Sequence, residues 1–113
     1  MKSKELDKTR TQMKRGVLEM CVLSLIKEQK TYGREINERL KDSNLVVVEG
    51  TLYPLLSRLK KAELLEYELI ESEYGPARKY YNLTPKGEEF LGDLLKTWGS
   101  LVDAVTKMTQ TAS

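Results

Sequence analysis

The stretch GTLYPLLSRLKKA, Gly50–Ala62, carries leucines at positions 52, 55, 56 and 59, which is the i, i+3, i+4, i+7 spacing of one apolar helix face. At about 100° per residue, Tyr53, Ser57 and Lys61 lie on the opposite face. Arg58 lies on its flank. This polar face contains hydroxyls, a ring and cations but no acid, which suits the phosphates and base edges of a DNA groove. The alternative interpretation is a solvated face without a ligand.

The length of 113 residues predicts a single domain. A hydrophobic fraction of 40% and a charged fraction of 32% are typical of a helix-rich globular protein. No apolar run approaches the roughly 18–20 residues that cross a bilayer, and the opening residues lack the apolar segment of a signal peptide. Cys21 is the single cysteine, so no intrachain disulfide is expected, and a reducing, cytoplasmic location is predicted.

The chain contains no histidine. This excludes Ser-His-Asp and Cys-His catalysis and removes the commonest metal ligand. A lone cysteine excludes a closed zinc site, and no glycine-rich phosphate loop or paired-carboxylate motif is present. We therefore expect neither an enzyme nor a metal or other cofactor. The net charge of +2 is too small to indicate a nucleic-acid partner by itself.

Two helices are predicted before Gly50–Ala62. Residues 1–10 are polar and are expected to form a flexible N-terminus. The apolar spacing predicts a first helix from Thr11 to Gln29. Thr31 is predicted to cap a second helix, which ends near Asp42. The β-branched run Leu45–Val48 is interpreted as a short strand segment.

The apolar period changes from 3.6 to 2 after the third helix. Leu65–Leu69 alternates apolar residues with glutamates, and Arg78–Thr84 is a second, tyrosine-rich run of strand type. The Gly75-Pro76 pair between them predicts the turn of a β-hairpin. The glutamates at positions 66, 68, 71 and 73 would repel phosphate, so we expect them to point away from any bound DNA.

A final helix begins with Thr84 as the N-cap and Pro85 as the first residue. Apolar residues then recur about every 3.5 residues as far as Met108, which is the spacing of a coiled-coil seam. This stripe is longer than the preceding helices can cover, so we predict that it forms a dimer contact. The predicted fold is mainly α with a small β-hairpin (α+β): a winged helix-turn-helix DNA-binding domain over residues 11–84 and a long C-terminal dimerisation helix over residues 85–110.

Three runs of the sequence are specific in combination: TYGREINERL from residue 31, GTLYPLLSRLKKAELL from residue 50 and YGPARKYYNLTPKGEEFL from residue 74. Together they resemble the PadR family of bacterial transcriptional regulators. The resemblance covers about residues 14–95, and the single C-terminal helix is similar to that of the family's shorter subgroup. It implies a homodimer that represses promoters and is released by a small molecule.

The resemblance implies DNA contacts on the third helix and the hairpin. For Tyr53 the alternative is a ring that lies on the edge of the core, and for Tyr32 it is packing between the first two helices. Of Tyr80 and Tyr81, one is expected in the core and the other on the surface. The implied contacts from the third helix are Tyr53, Ser57, Arg58 and Lys61, and the implied phosphate contacts are Tyr32, Thr51, Arg78 and Lys79.

The resemblance also implies an effector site on the final helix. In short members of the family, a tryptophan from each C-terminal helix stacks on a flat aromatic effector at the dimer interface, and Trp98 is at the matching place. The alternative is that Trp98 only fills the dimer seam. The residues expected at this interface are Trp98, Leu94, Leu101, Val102 and Val105.

Taken together, these features predict a dimeric, sequence-specific DNA-binding transcriptional regulator. We expect a repressor that reads a palindromic operator in double-stranded DNA and is released by a small, planar aromatic effector. A membrane partner is not expected. The alternative function is a winged-helix module that binds another protein without reading DNA directly.

Overall fold

The structure is a computed structural model that describes residues 3–45 and 50–110. In this part of the chain, none of the helices is long and apolar enough to cross a membrane. Within these ranges three helices precede a β-hairpin and one follows it, so the predicted α+β class and winged-helix arrangement are confirmed. The elements are α1 (Lys4–Glu28), β1 (Thr31–Tyr32), α2 (Gly33–Asp42), α3 (Leu52–Lys61), β2 (Leu65–Ser72), β3 (Gly75–Leu83) and α4 (Pro85–Thr109).

Helix α1 begins well before the predicted start at Thr11. The Ser3 side chain caps it by accepting a hydrogen bond of 3.2 Å from the backbone N–H of Leu6. Glu5 and Asp7 lie in the first turn, where negative charge is favourable beside the helix dipole. The segment 4–10, which was expected to be a flexible N-terminus, is therefore helical in the structure.

A short third strand, β1, was not predicted. Thr31 is buried and pairs with Tyr81 of β3, so it does not cap α2. The residue before α2 is Tyr32, whose side chain makes no capping hydrogen bond. The prediction for Thr31 is wrong because its position is decided by pairing with a distant strand. Of the strand predicted over Leu45–Val48, Leu45 lies outside any strand and the other residues lie outside the described ranges.

The predicted β-hairpin is confirmed. Strands β2 and β3 pair antiparallel from Leu65 opposite Leu83 to Ser72 opposite Gly75. Only residues 73–74 connect them, so the turn is shorter than the predicted one, and its predicted position at Gly75-Pro76 is wrong because both residues belong to β3. The strand order is β1-β3-β2, which places the hairpin's second strand in the middle of a three-stranded sheet.

The hydrophobic core lies between α1, the two following helices and the sheet. Leu52, Leu56 and Leu59 of α3 are buried, and Leu55 is half-buried, which confirms the predicted apolar stripe. Because this stripe faces the core, the polar face of α3 is turned outward. The buried hydrophobic residues are Leu18, Val22, Leu23, Ile26, Ile36, Leu40, Leu52, Leu56, Leu59, Leu64, Leu65, Tyr81 and Leu91.

Helix α4 begins as predicted. Thr84 is the N-cap, and its hydroxyl accepts a hydrogen bond of 2.9 Å from the backbone N–H of Gly87. Pro85 is the first residue of the helix, where its missing N–H costs nothing. Beyond Leu91, which is buried, most of the helix is exposed, including its large apolar side chains.

The start of α4 depends on a close approach at Gly87. A Cβ atom at this position would lie 2.0 Å from the carbonyl oxygen of Leu64, which accepts a 3.1 Å hydrogen bond from the N–H of Thr84. A side chain at position 87 is therefore incompatible with the packing of the start of α4 against the turn that follows α3. Gly92, on the same helix, has no such neighbour.

We predict that Gly87→Ala destabilises the protein by about 1–3 kcal/mol or more, since the added methyl group meets a hydrogen-bonded backbone carbonyl. Gly92→Ala is the matched control, and we expect it to stabilise the protein by about 0.5–1 kcal/mol because alanine is the better helix former. Urea denaturation of the two variants measures both effects. Equal stability of the two variants would contradict this account of α4 docking.

Candidate nucleic-acid interface

A cleft of about 690 Å³ lies between α3 and the hairpin. Five cations line it, and no acidic side chain does so within residues 3–45 and 50–110. Its wall therefore combines positive charge with aromatic rings, which is the composition of surfaces that bind nucleic acids. The lining residues are Tyr32, Gly33, Arg34, Tyr53, Ser57, Lys60, Lys61, Tyr67, Ala77, Arg78, Lys79 and Tyr81.

The polar face of α3 forms one wall of this cleft. Tyr53, Ser57 and Lys61 are exposed there, as the helical spacing predicted. Tyr53 fits both its predicted position on the polar face and the alternative of a ring on the edge of the core. It lies against Gly33 at the edge of the core, yet the residue remains 59% exposed. Its phenol is therefore accessible to a ligand in the cleft.

Two lysines from different elements share one aromatic ring. The Nζ atom of Lys60 on α3 lies 5.3 Å from the centroid of the Tyr67 ring, and the Nζ atom of Lys79 on β3 lies 4.9 Å from it. Both distances are within the range of a cation–π interaction. The Tyr67 ring thus contacts ammonium groups from both the helix and the hairpin. Their concentrated positive charge favours the binding of an anion beside them.

Tyr32 has a comparable relation to Arg78. The guanidinium carbon of Arg78 lies 4.5 Å from the centroid of the Tyr32 ring. The Tyr32 ring is itself in contact with that of Tyr80, with centroids 5.1 Å apart. Tyr32 therefore packs on the sheet and supports a cation of the hairpin at the same time.

The phenol of Tyr81 adds no negative charge to the cleft. Burial raises its pKa, and the neighbouring phenols of Tyr67 and Tyr53 raise it further. Neutral pH is well below the ordinary tyrosine pKa of about 10, so the Tyr81 phenol remains protonated there.

Tyr81 is the buried member of the predicted pair and Tyr80 is half-buried, which confirms the alternation along β3.

Thr51 and Arg58 lie outside the cleft, on the flank of α3 that faces α1. The guanidinium of Arg58 forms an ion pair with Glu19 at 3.3 Å. Thr51 precedes α3, but its side chain makes no capping hydrogen bond. Both residues line a shallow depression together with Arg15. The structure therefore brings six of the eight predicted DNA contacts into one cleft and places the other two beside it.

Six residues that line the cleft were not predicted as contacts, and three of these carry a charge or a half-buried ring: Arg34, Lys60 and Tyr67. Lys60 belongs to the flank of the α3 polar face, and the spacing alone did not separate it from other surface lysines. Tyr67 is recognisable from the hairpin register, because it lies opposite Tyr81 on the strand face that also carries Lys79. The place of Tyr67 in the cleft can be predicted only when the pairing of β2 with β3 is known.

The expectation that the hairpin's glutamates point away from the cleft is confirmed for the first two. Glu66 accepts a hydrogen bond of 2.9 Å from the side-chain amide of Asn82, which lies opposite it. Glu68 forms an ion pair with Lys30. Alternation along the strand places both carboxylates on the face opposite Tyr67, so they do not oppose an anion in the cleft.

A second, apolar groove of about 610 Å³ lies between α1 and α4. From α1 it is lined by Met13, Val17 and Met20, among others. The Trp98 residue is 42% exposed in this groove. All five residues predicted for the effector and dimer interface line it: Leu94, Trp98, Leu101, Val102 and Val105.

Three helices, a hairpin and a basic cleft between the recognition helix α3 and the hairpin, which no acidic side chain lines in the described ranges, define a winged-helix DNA-binding protein. The chain belongs to the PadR-like family of transcriptional regulators, whose sequence profile matches residues 22–93. It is accordingly a DNA-binding regulator of transcription. Membership in a family of transcriptional regulators confirms the prediction that the protein is not an enzyme.

Solved structures of similar proteins agree with this assignment. A PadR-like transcription factor from Bacteroides fragilis is 48% identical, and the match covers 90% of this chain and 99% of that one with a TM-score of 0.75. A PadR-like transcriptional regulator from Bacillus cereus is 41% identical over 88% and 97% of the two chains, with a TM-score of 0.77. A PadR family regulator from Eggerthella lenta is 32% identical over 94% and 93%, with a TM-score of 0.85.

We predict that Lys60→Ala weakens binding to duplex DNA and lowers the slope of log affinity against log salt by about 0.9, the value for one lost phosphate contact. Lys96→Ala removes the same charge from α4, at a residue that does not line the cleft, and is expected to leave the slope unchanged. Fluorescence anisotropy with a random duplex at several salt concentrations measures both variants. Identical slopes for Lys60→Ala and the wild type would exclude Lys60 from the interface.

Proposed function

We propose that this protein is a cytoplasmic, dimeric repressor that reads a palindromic operator and is released by a small, planar aromatic effector. The observation that carries the DNA-binding half of the proposal is the cleft itself. Tyr53, Ser57 and Lys61 present a ring, a hydroxyl and a cation from one helix face, and the cations of the hairpin flank them. No carboxylate among the described residues lines the cleft to repel phosphate.

In this proposal α3 enters the major groove, whose width of about 12 Å admits a helix. Ser57 and Lys61 then meet base edges, and Tyr53 contacts a base or the sugar-phosphate backbone. Arg78 and Lys79 contact phosphates from the hairpin side. Thr51 and Arg58 contact the backbone on the other side of the groove, where Arg58 exchanges its Glu19 partner for a phosphate. Lys60 adds a further phosphate contact beside Lys79.

The exposed apolar stripe of α4 supports a homodimer. The apolar residues exposed on α4 in the single chain are Leu95, Trp98, Leu101, Val102, Val105 and Met108. A continuous apolar patch of this kind is typical of a protein interface. A two-fold dimer built on it presents two copies of α3, and such a pair reads half-sites about 34–36 Å apart, one helical turn of DNA. The operator is therefore palindromic.

We predict that Leu101→Glu converts the dimer into a monomer and abolishes preferential operator binding, because a carboxylate would lie in the apolar seam. Ser100→Glu adds the same charge to the opposite side of α4 and should leave both properties unchanged. Light scattering gives the oligomeric state, and anisotropy compares DNA from upstream of the protein's own gene with a random duplex. A monomeric wild type, or equal weak binding to both duplexes, would contradict the proposal.

The groove between α1 and α4 supports the effector half of the proposal. Its volume of about 610 Å³ lies within the usual range for small-molecule sites. The accessible Trp98 ring offers a flat surface for stacking, the arrangement that aromatic pairs prefer. Because the ligand would touch the dimer interface, it changes the spacing of the two recognition helices and releases DNA, a coupling of typically 1–3 kcal/mol.

We predict that planar aromatic compounds quench the fluorescence of Trp98, which is the single tryptophan of the chain. Trp98→Leu should raise the ligand Kd about tenfold by calorimetry, since stacking and ring burial are lost. Ser100→Ala, a change on the side of α4 opposite the groove and the apolar stripe, is the control and should retain wild-type affinity. Equal ligand affinity in Trp98→Leu and the wild type would return Trp98 to a purely structural role.

A further inference from the structure

Gly33 and Tyr53 make an unusually close contact between α2 and α3. A Cβ atom built on Gly33 would lie 2.6 Å from Cε1 of Tyr53 and 3.1 Å from both its Cζ and its hydroxyl oxygen. Real side chains essentially never approach at 2.6 Å. The outer edge of the Tyr53 ring therefore lies directly on the backbone of Gly33, in space that any other residue would occupy.

The backbone itself does not require glycine at this position. Gly33 is the first residue of α2, and it is not among the glycines with positive φ, which are Gly50 and Gly75 in the described ranges. At the start of a helix, alanine adopts the same conformation and has the higher helix propensity. Glycine at position 33 is thus explained by the Tyr53 ring, which occupies the space of a side chain, and not by backbone strain.

The contact has a direct consequence for the cleft. Tyr53 extends from the polar face of α3 and lines the cleft with Ser57 and Lys61. One side of its ring is held against α2, while the residue remains 59% exposed. Because the ring has a fixed support, the phenol is presented to the cleft in one orientation before a ligand arrives. Preorganisation of this kind reduces the entropic cost of binding.

We propose that Gly33 is a positioning residue for DNA recognition: its lack of a side chain seats the Tyr53 ring and determines where the phenol meets the DNA. This inference rests on the proposed function. Gly33 itself need not touch the DNA. Its effect on binding acts through the orientation of Tyr53.

The structure also indicates that replacement of Gly33 by alanine leaves the fold intact. The atoms that a new methyl group would meet belong to the far end of a side chain, which can rotate toward the open cleft. No backbone atom is among the three nearest neighbours, in contrast to Gly87. The substitution therefore displaces the ring instead of separating the helices.

The test is a double-mutant cycle of Gly33→Ala and Tyr53→Ala, measured by anisotropy with the preferred upstream duplex and a random duplex. We expect Gly33→Ala to weaken binding to the upstream duplex about tenfold and to weaken random binding much less. In the Tyr53→Ala background, the same change should have no further effect, because the ring that it displaces is absent. Gly92→Ala, an open position on α4, is the control and should bind like the wild type.

A readout that does not depend on DNA accompanies the cycle. In the wild type, the α-protons of Gly33 and the ring protons of Tyr53 should show nuclear Overhauser effects, and these should be lost in Gly33→Ala while the melting temperature changes little. Wild-type affinity of Gly33→Ala for the upstream duplex, or the same loss in both backgrounds, would overturn the inference while the proposed function stands. A wild-type protein that prefers no duplex would instead overturn the proposed function, and the role of Gly33 in recognition with it.

Discussion

The burial of the leucine stripe on α3 is the constraint on which the DNA-binding surface depends. Leu52, Leu56 and Leu59 lie in the core, and each buried leucine stabilises the fold by about 1.5–3 kcal/mol relative to exposure. Rotation of the helix by one residue, about 100°, would turn Leu52 and Leu59 away from the core and bury polar side chains such as Ser57 and Lys60. The apolar side of α3 therefore determines its rotation, and the polar side faces the cleft as a consequence.

Helix α1 connects the two surfaces of the molecule. Leu18 and Val22 belong to the hydrophobic core, while Val17 and Met20 line the groove against α4. Glu19 of the same helix forms the ion pair with Arg58 on the flank of α3. The groove and the recognition helix are thus attached to one rigid element.

Long elements with a strong pattern were predictable from the sequence. The stripe of α3, the strand β2 and the Thr84-Pro85 start of α4 each reflect local chemistry, and the structure confirms them. The strand Thr31–Tyr32 was not predictable, because two residues cannot show a period and their pairing partner is distant in sequence. The early start of α1 was missed because the charged composition concealed the Ser3 cap.

The sequence by itself determined which side chains face the core and which face outward on each element, since helical and strand periodicity are local properties. It also carried the family resemblance. The tertiary structure alone decided which outward side chains meet. Lys60 and Lys79 share the Tyr67 ring, Arg58 pairs with Glu19 away from the cleft, and the Tyr53 ring lies on Gly33. Each of these contacts joins separate elements, so it depends on helix docking and strand register, which local patterns do not specify.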